Sequence, residues 1–253
     1  MSPAERASAP PHGVDVLAVG AHPDDVEIGC GGTVLRVTRG GGTAVVVDLS
    51  AGECATRGTA ETRAAEAVAA ARVLGIAARE NLGLPDGAIA DDPASRHALV
   101  AAIRRHRPRI LLAPHPDDDH PDHAAAARLA VAASFLAGVG GIAAEGARHR
   151  AAIVLFYLMH RRFAPALIVD ISDVHDEKLR ALRSYRSQLH DPAAPGPRTH
   201  VGAPDFLDRL RARDRFFGEA IGVTYGEPFA ARRPPGLRDL RLLVGGSGAP
   251  PPA

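Results

Sequence analysis

Ala21-His22-Pro23-Asp24-Asp25-Val26-Glu27 is the stretch of sequence that decides the fold prediction. An apolar run over residues 14–19 leads into it, and the glycine-rich run Gly29-Cys30-Gly31-Gly32 follows it. A hydrophobic run, a polar loop and then the glycine-rich start of a helix is typical of a β-strand that ends in a functional loop. The sequence therefore predicts that this polar stretch lies at the carboxyl end of a buried strand.

The side chains of this loop indicate a metal site beside a base. His22 and Asp25 are three residues apart, close enough to bind one ion. Asp24 points elsewhere and is left free for proton transfer.

Composition narrows the class of protein. The chain has 253 residues, of which 46% are hydrophobic and 23% charged, as in an ordinary globular protein that needs no disulfides. With 30 basic and 29 acidic residues, the net charge of +1 predicts no strong attraction to nucleic acid or to anionic membranes. Cys30 and Cys54 do not make a disulfide framework and are predicted to be small buried hydrophobes.

No apolar stretch is long enough to span a membrane, and the polar, proline-rich start of the chain lacks the hydrophobic core of a signal peptide. We therefore expect a cytoplasmic enzyme.

Hydrophobic periodicity predicts an α/β fold: a mostly parallel, Rossmann-like sheet with helices on both faces. The predicted strands span residues 14–19, 44–49, 81–84, 110–113, 153–158 and 166–171, and the predicted helices span 31–38, 60–74, 92–106, 121–136, 173–188 and 204–221. We expect one domain over residues 13–240, a disordered start at 1–12 and a flexible tail at 241–253.

A second polar cluster, His120-Pro121-Asp122-His123, also follows an apolar strand. In a doubly wound sheet of order 3-2-1-4-5, the first and fourth strands are neighbours, and ligands bind outside their carboxyl ends. The two polar loops are therefore expected to face each other across one crevice.

The facing loops supply the parts of an amide hydrolase. His22, Asp25 and His123 form a set of two imidazoles and one carboxylate, which suits a zinc ion with an open position for water. Such an ion polarises a carbonyl group and lowers the pKa of water. Asp24 would act as the base, and His120 would stabilise the oxyanion or protonate the leaving amine.

Simpler interpretations remain open for several residues. His115 is more often a solvated loop residue than an additional ligand. The acidic run 117–119 is either solvated or an electrostatic rim, and Asp122 would serve as a helix cap. The glycine-rich run 29–32 would bind an anion at a helix start, although it lacks the full G-x-G-x-x-G spacing. The alternative function class is a non-catalytic sugar- or nucleotide-binding α/β module, which bound zinc and acetate release would exclude.

Together, the two motifs resemble the PIG-L/LmbE family of zinc N-deacetylases. Within that family, further stretches are similar to the bacillithiol-biosynthesis deacetylases, which act on N-acetylglucosaminyl-malate; these stretches are Gly52-Glu53, 56–59, 80–87, 169–174, 185–188 and 222–229. The resemblance spans about residues 14–229. It implies an LmbE-like fold, an amino-sugar substrate, zinc with ferrous iron as an alternative, and a homo-oligomer, either trimer or hexamer.

The resemblance implies the same metal ligands, base and histidine that the chemistry indicates. It adds Arg57 as a contact to the sugar, Asp86 near the sugar hydroxyls, and Tyr185 and Gln188 as residues of the cleft. Asp119 stands where that branch usually has an arginine, which would help to hold a carboxylate. The main expectation is N-acetylglucosaminyl-malate; the alternatives are other N-acetylglucosaminides, such as the inositol conjugate of the mycothiol pathway or chitin fragments.

Overall fold

The computed structural model describes residues 13–193 and 196–239, and a seven-stranded sheet runs through them. In chain order the elements are β1 (Val16–Gly20), α1 (Asp25–Arg39), β2 (Ala44–Asp48), α2 (Ala60–Leu74), β3 (Ala78–Asn81), α3 (Pro93–His106), β4 (Ile110–Pro114), α4 (Pro121–Ala137), β5 (Ile153–Tyr157), β6 (Leu167–Asp170), α5 (His175–Leu182), α6 (Phe206–Glu219) and β7 (Gly226–Ala231). The predictions for residues 1–12 and 241–253 fall outside the described residues.

The strand order is β3-β2-β1-β4-β5-β7-β6. β1 to β5 pair in parallel, which confirms the predicted order 3-2-1-4-5 and the α/β fold class. β7 inserts antiparallel between β5 and β6. No strand is predicted for this segment, in which Pro228 has no N–H to donate to a ladder.

The central strands are buried on both faces. In β1, Leu17 and Val19 belong to one hydrophobic cluster together with residues of α3 and α4. Val16 and Ala18 point to the other side, into a cluster with residues of α1 and α5. This alternation explains why the strand reads as a nearly continuous apolar run.

The glycine-rich run lies inside α1, at a kink where Cys30 has non-helical backbone angles (φ −147°, ψ 18°), so the predicted start at residue 31 coincides with the second segment of the helix. The helix begins at Asp25, six residues earlier than predicted. A Cβ atom at Gly29 would lie 2.1 Å from the ring of Tyr157, and one at Gly32 would lie 2.8 Å from Ile171. The glycines therefore allow α1 to pack closely on the sheet, and Gly32 N–H already donates to Glu227 Oε1 at 2.9 Å. The N–H groups of Gly32 and Thr33, which an anionic ligand would use at this run, are taken by the Glu227 carboxylate.

The helix after β6 is shorter than the predicted 173–188. α5 spans His175–Leu182, and turns follow it. Asp173 does not cap this helix, because its carboxylate accepts from Arg36 at 2.6 Å. Among the described residues, no helix has the length and apolarity needed to cross a membrane.

Candidate metal and active site

The two polar loops meet beyond the carboxyl ends of β1 and β4, which are adjacent strands. Asp24 is the N-cap residue of α1, in the left-handed region with φ 113° and ψ −23°, and its side chain makes no capping hydrogen bond. A non-glycine residue held there costs about 1–3 kcal/mol and is characteristic of functional sites. The backbone thus presents the Asp24 carboxylate to the site rather than to its own helix.

His22, Asp25 and His123 are brought together and are all buried. His22 Nδ1 lies 3.5 Å from Asp25 Oδ2, and His123 Nε2 lies 3.3 Å from Asp25 Oδ1. Ligand atoms about 2.0–2.2 Å from a tetrahedral ion are themselves about 3.3–3.6 Å apart. Both the spacing and the donor types therefore fit a zinc ion.

Carboxylates orient the His22 and His123 rings by contacting the ring nitrogen that points away from Asp25. His22 Nε2 lies 3.0 Å from Asp86 Oδ1 and 3.1 Å from Asp122 Oδ2. His123 Nδ1 lies 2.9 Å from Asp118 Oδ1. In each ring, one nitrogen contacts these carboxylates and the other nitrogen faces Asp25. This carboxylate–histidine pairing is the usual outer arrangement of metal ligands.

The charges of the cluster are strongly coupled. Burial opposes protonation of His22, but Asp25 and Asp86 outweigh it and raise the pKa of His22 to about 11. Burial is likewise outweighed at His123, where Asp25 and Asp118 raise the pKa to about 9. These carboxylates would equally favour a bound cation in place of the protons.

Two aspartates play roles that the sequence does not predict. Asp122 is buried and accepts from the backbone N–H groups of Gly87 and Ile89, so it ties the loop after β3 to the metal site. The prediction that Asp122 caps α4 is wrong, because it lies inside the first turn and His120 is the N-cap residue. The side chain of Asp118 is fully buried between His123 and His160, whereas those of Asp117 and Asp119 are exposed. The interpretation of 117–119 as a uniform solvated run or rim is therefore wrong at Asp118.

Other sets of donors in the same site also cluster. They are His22 with His120 and Asp122, and Asp118 with His123 and His160. Each set shares one histidine with His22, Asp25 and His123, which is the set whose members are all buried.

Asp24 lies in a buried setting that suits a base. Burial raises the pKa of Asp24 to about 7, against the opposing charge of Arg63, whose Nη2 lies 3.3 Å from Asp24 Oδ1. Arg63 also donates to the carbonyl oxygen of Pro23. Gly52 makes room for this arginine, because a Cβ there would lie 2.1 Å from Arg63 Nη1. Arg63 is not evident from the sequence, where it looks like any arginine of an alanine-rich helix.

His120 is placed as a hydrogen-bond donor. It is the N-cap residue of α4, and its Nδ1 accepts from the N–H of Asp122 at 3.2 Å. Burial, with the neighbouring charges of His123 and His22, lowers its pKa. A neutral ring whose Nδ1 accepts must carry its hydrogen on Nε2.

Of the four predicted substrate contacts, two line the pocket. Asp86 and Gln188 are lining residues of a cavity of about 710 Å³ that contains the metal site. His22 holds the pKa of Asp86 down, to about 2.

The other two predicted contacts are placed elsewhere. Arg57 is not a lining residue; its Nε donates to the carbonyl oxygen of Ser187 at 3.2 Å. Tyr185 is fully buried, and its hydroxyl donates to Glu27 Oε1 at 3.2 Å. The loop that carries Arg57 folds onto residues 187–188, and Tyr185 points into the core below the cleft, so neither side chain reaches the pocket.

The pocket wall includes residues that the sequence motifs do not indicate. His160 follows β5 and lines the pocket. The polar residues after β1 and β4 were placed at one edge of the sheet because they follow neighbouring strands, and the same reasoning would have indicated His160. Cys54 also lines it and is exposed, contrary to the prediction of a buried hydrophobe, whereas Cys30 is buried as predicted. His115 stacks on Phe163 at 4.4 Å and is not a lining residue.

Known proteins are similar to the part of the chain that carries this site. The PIG-L family, described as GlcNAc-PI de-N-acetylase, matches residues 17–134. The diacetylchitobiose deacetylase of Thermococcus kodakarensis is 34% identical over 189 residues, which cover 69% of this chain and 70% of that protein.

Solved structures agree with the fold. The conserved protein TT1542 from Thermus thermophilus has 41% identity and a TM-score of 0.82, covering 90% of this chain and 98% of that one. The N,N'-diacetylchitobiose deacetylase from Pyrococcus horikoshii, in complex with its inhibitor MPG, has 27% identity and a TM-score of 0.75, covering 88% and 84%. The chain belongs to the PIG-L family of LmbE-like deacetylases.

Proposed function

We propose that this protein is a metal-dependent hydrolase that removes the N-acetyl group from short N-acetylglucosaminides, with chitin fragments such as diacetylchitobiose as the favoured class. One observation carries the proposal: His22, Asp25 and His123 converge in the lining of one pocket, from the end of β1 and the first turns of α1 and α4, beside the buried carboxylate of Asp24. The pocket volume of about 710 Å³ lies within the range of small-molecule sites.

The choice of chitin fragments rests on the relatives, since two of those described above are diacetylchitobiose deacetylases. Arg57, the predicted sugar contact, does not line the pocket, whereas Arg162, Arg209 and Arg213 do. The malyl conjugate is therefore the competing substrate, because its carboxylates suit these arginines.

The donor set indicates which metal the site would hold. Two imidazoles and a carboxylate are a usual catalytic zinc set, and ferrous iron is the alternative with the same ligand types. When bound, such an ion polarises the amide carbonyl and makes water more acidic.

The chain's own residues account for the proton transfers. Ionised Asp24 accepts a proton from the attacking water, and the adjacent Arg63 favours the ionised form of that carboxylate. His120, with its hydrogen on Nε2, donates a hydrogen bond to the developing oxyanion. The proton held by Asp24 then passes to the leaving nitrogen, so that one amide and one water yield acetic acid and a free amine, which become acetate and an ammonium group in neutral solution.

Acetate release tests this proposal. Zinc-loaded protein is incubated with N,N'-diacetylchitobiose, N-acetylglucosamine and N-acetylglucosaminyl-malate, and acetate and free amine are measured in parallel. We expect equal amounts of both products and the highest kcat/KM for diacetylchitobiose. The Asp24→Asn variant, loaded with the same metal, serves as the matched control. A preference for the malyl conjugate would overturn the substrate class, and absence of acetate from every substrate would overturn the proposal.

A further inference from the structure

We propose that Asp118 is a positioning residue, which fixes the His123 ring for metal binding and holds His160 in the pocket wall with the same oxygen atom. This inference rests on the proposed function, because it takes His123 as a metal ligand.

Four hydrogen bonds converge on the Asp118 carboxylate. Oδ1 accepts from His123 Nδ1 at 2.9 Å, from His160 Nδ1 at 2.8 Å and from the backbone N–H of His120 at 3.0 Å. Oδ2 accepts from the backbone N–H of His160 at 2.9 Å. The side chain is 0% exposed, whereas those of its neighbours Asp117 and Asp119 are 68% and 70% exposed. Asp118 is therefore built into the site, unlike the rest of its loop.

These contacts determine which nitrogen of the His123 ring carries the hydrogen. A carboxylate only accepts hydrogen bonds, so Nδ1 of His123 must carry the hydrogen. The lone pair of the ring then lies on Nε2, the nitrogen that is 3.3 Å from Asp25 Oδ1. Loss of Asp118 would free both the tautomer and the rotation of the ring, which weakens metal binding without removing a ligand.

The same carboxylate joins two strand ends. His123 follows β4 and His160 follows β5, and their rings stack at 5.3 Å with an interplanar angle of 12°. His160 in turn lines the pocket and contacts the ring of His200. Asp118 thereby couples the orientation of a metal ligand to the wall against which the substrate would lie.

A competing explanation is that Asp118 is itself a ligand, in the set with His123 and His160. The two explanations predict different losses. A ligand contributes a bond to the ion, so its removal should abolish binding as completely as His123→Ala does. A positioning residue of this kind is expected to change metal affinity by about 10-fold to 100-fold.

The test is the zinc dissociation constant, measured by competition with a chromophoric chelator, for the full chain and its variants. We expect Asp118→Ala to raise the constant by about 10-fold to 100-fold, with Asp118→Asn giving a smaller rise because its amide oxygen still accepts from His123. Asp117→Asn, a change on the same loop at an exposed position, is the matched control and should bind zinc like wild type. His160→Ala should also retain zinc binding close to that of wild type.

The outcomes separate the two hypotheses. Unchanged affinity in both Asp118 variants would overturn the positioning role, and so would a loss in Asp118→Ala as complete as that in His123→Ala, which would make Asp118 a ligand. Far-ultraviolet circular dichroism of the metal-free variants shows whether each has folded, and Asp118→Asn carries the test if the alanine variant has not. Absence of zinc binding by the wild type would instead contradict the proposed function.

Discussion

At the scale of single residues, Asp24 shows how the local backbone prepares chemistry. Its left-handed φ of 113° turns the carboxylate away from the N–H groups of α1, and burial raises its pKa to about 7. The adjacent Asp25 faces His123 instead. Asp24 and Asp25 have the same side chain but different environments. One short stretch of chain can therefore supply both a ligand and a base.

Replacement of Asp24 by asparagine should separate these two functions. Asparagine tolerates the left-handed region, so we expect the variant to fold and to retain its metal. Because the amide cannot accept the proton, kcat should fall by about 100-fold or more. The measurement is kcat for acetate release together with metal content. Undiminished turnover in a fully loaded Asp24→Asn variant would remove Asp24 from the role of base.

At the scale of elements, the loop that follows β2 is held by the segment that follows α5. Arg57 Nε donates to the carbonyl oxygen of Ser187, and Gln188 Nε2 donates to the carbonyl oxygen of Arg57 at 2.6 Å. Gln188 lines the pocket, whereas Arg57 does not. Arg57 is thus placed to act on the pocket through this loop contact and not through its charge.

The variant Arg57→Ala tests that placement. We expect KM for diacetylchitobiose and for N-acetylglucosaminyl-malate to rise by the same factor, because the loop shifts for both substrates. Steady-state kinetics with the two substrates measure this. A penalty confined to the malyl conjugate would show that the guanidinium binds carboxylate, contrary to this account.

A buried ion network connects α5, α6 and β7. Lys178, which is the single lysine of the sequence, lies 2.6 Å from Asp214 Oδ2 and 2.8 Å from Glu227 Oε1. Glu227 also accepts from the backbone of α1, so the network joins the helix that carries Asp25 to the antiparallel strand. Although burial opposes it, Lys178 and Arg213 hold the pKa of Asp214 below its usual range.

Substitution of Asp214 by alanine should lower the free energy of unfolding by about 3–5 kcal/mol at neutral pH, because it leaves part of a buried charge network unpaired. Since the folded-state pKa of Asp214 is lowered, its stabilising effect is complete above the unfolded pKa of about 4 and declines as pH falls further. Urea denaturation should show that the difference in the free energy of unfolding between wild type and variant becomes smaller at about pH 3. A difference in the free energy of unfolding that becomes larger in acid would contradict this direction of the pH dependence.

At the scale of the whole molecule, the sequence predicted the features that depend on strand order. It predicted few of the contacts between side chains that are distant from each other in the chain. The order 3-2-1-4-5 followed from alternating strands and helices, and it explains why the His22 and His123 loops face each other. Arg63, Asp118 and His160 escaped prediction because their partners are set by tertiary packing between separate elements. The start of α1 was misplaced because glycines that serve close packing look the same in sequence as glycines of a turn.

The central claim is that two loops, far apart in the chain, jointly hold one metal ion. Metal content per chain, measured by inductively coupled plasma mass spectrometry after zinc loading and desalting, tests it most directly. The account predicts one zinc per wild-type chain and loss of most of it in both His22→Ala and His123→Ala, with Asp117→Asn as a control that stays loaded. Full zinc occupancy in either histidine variant would contradict the account.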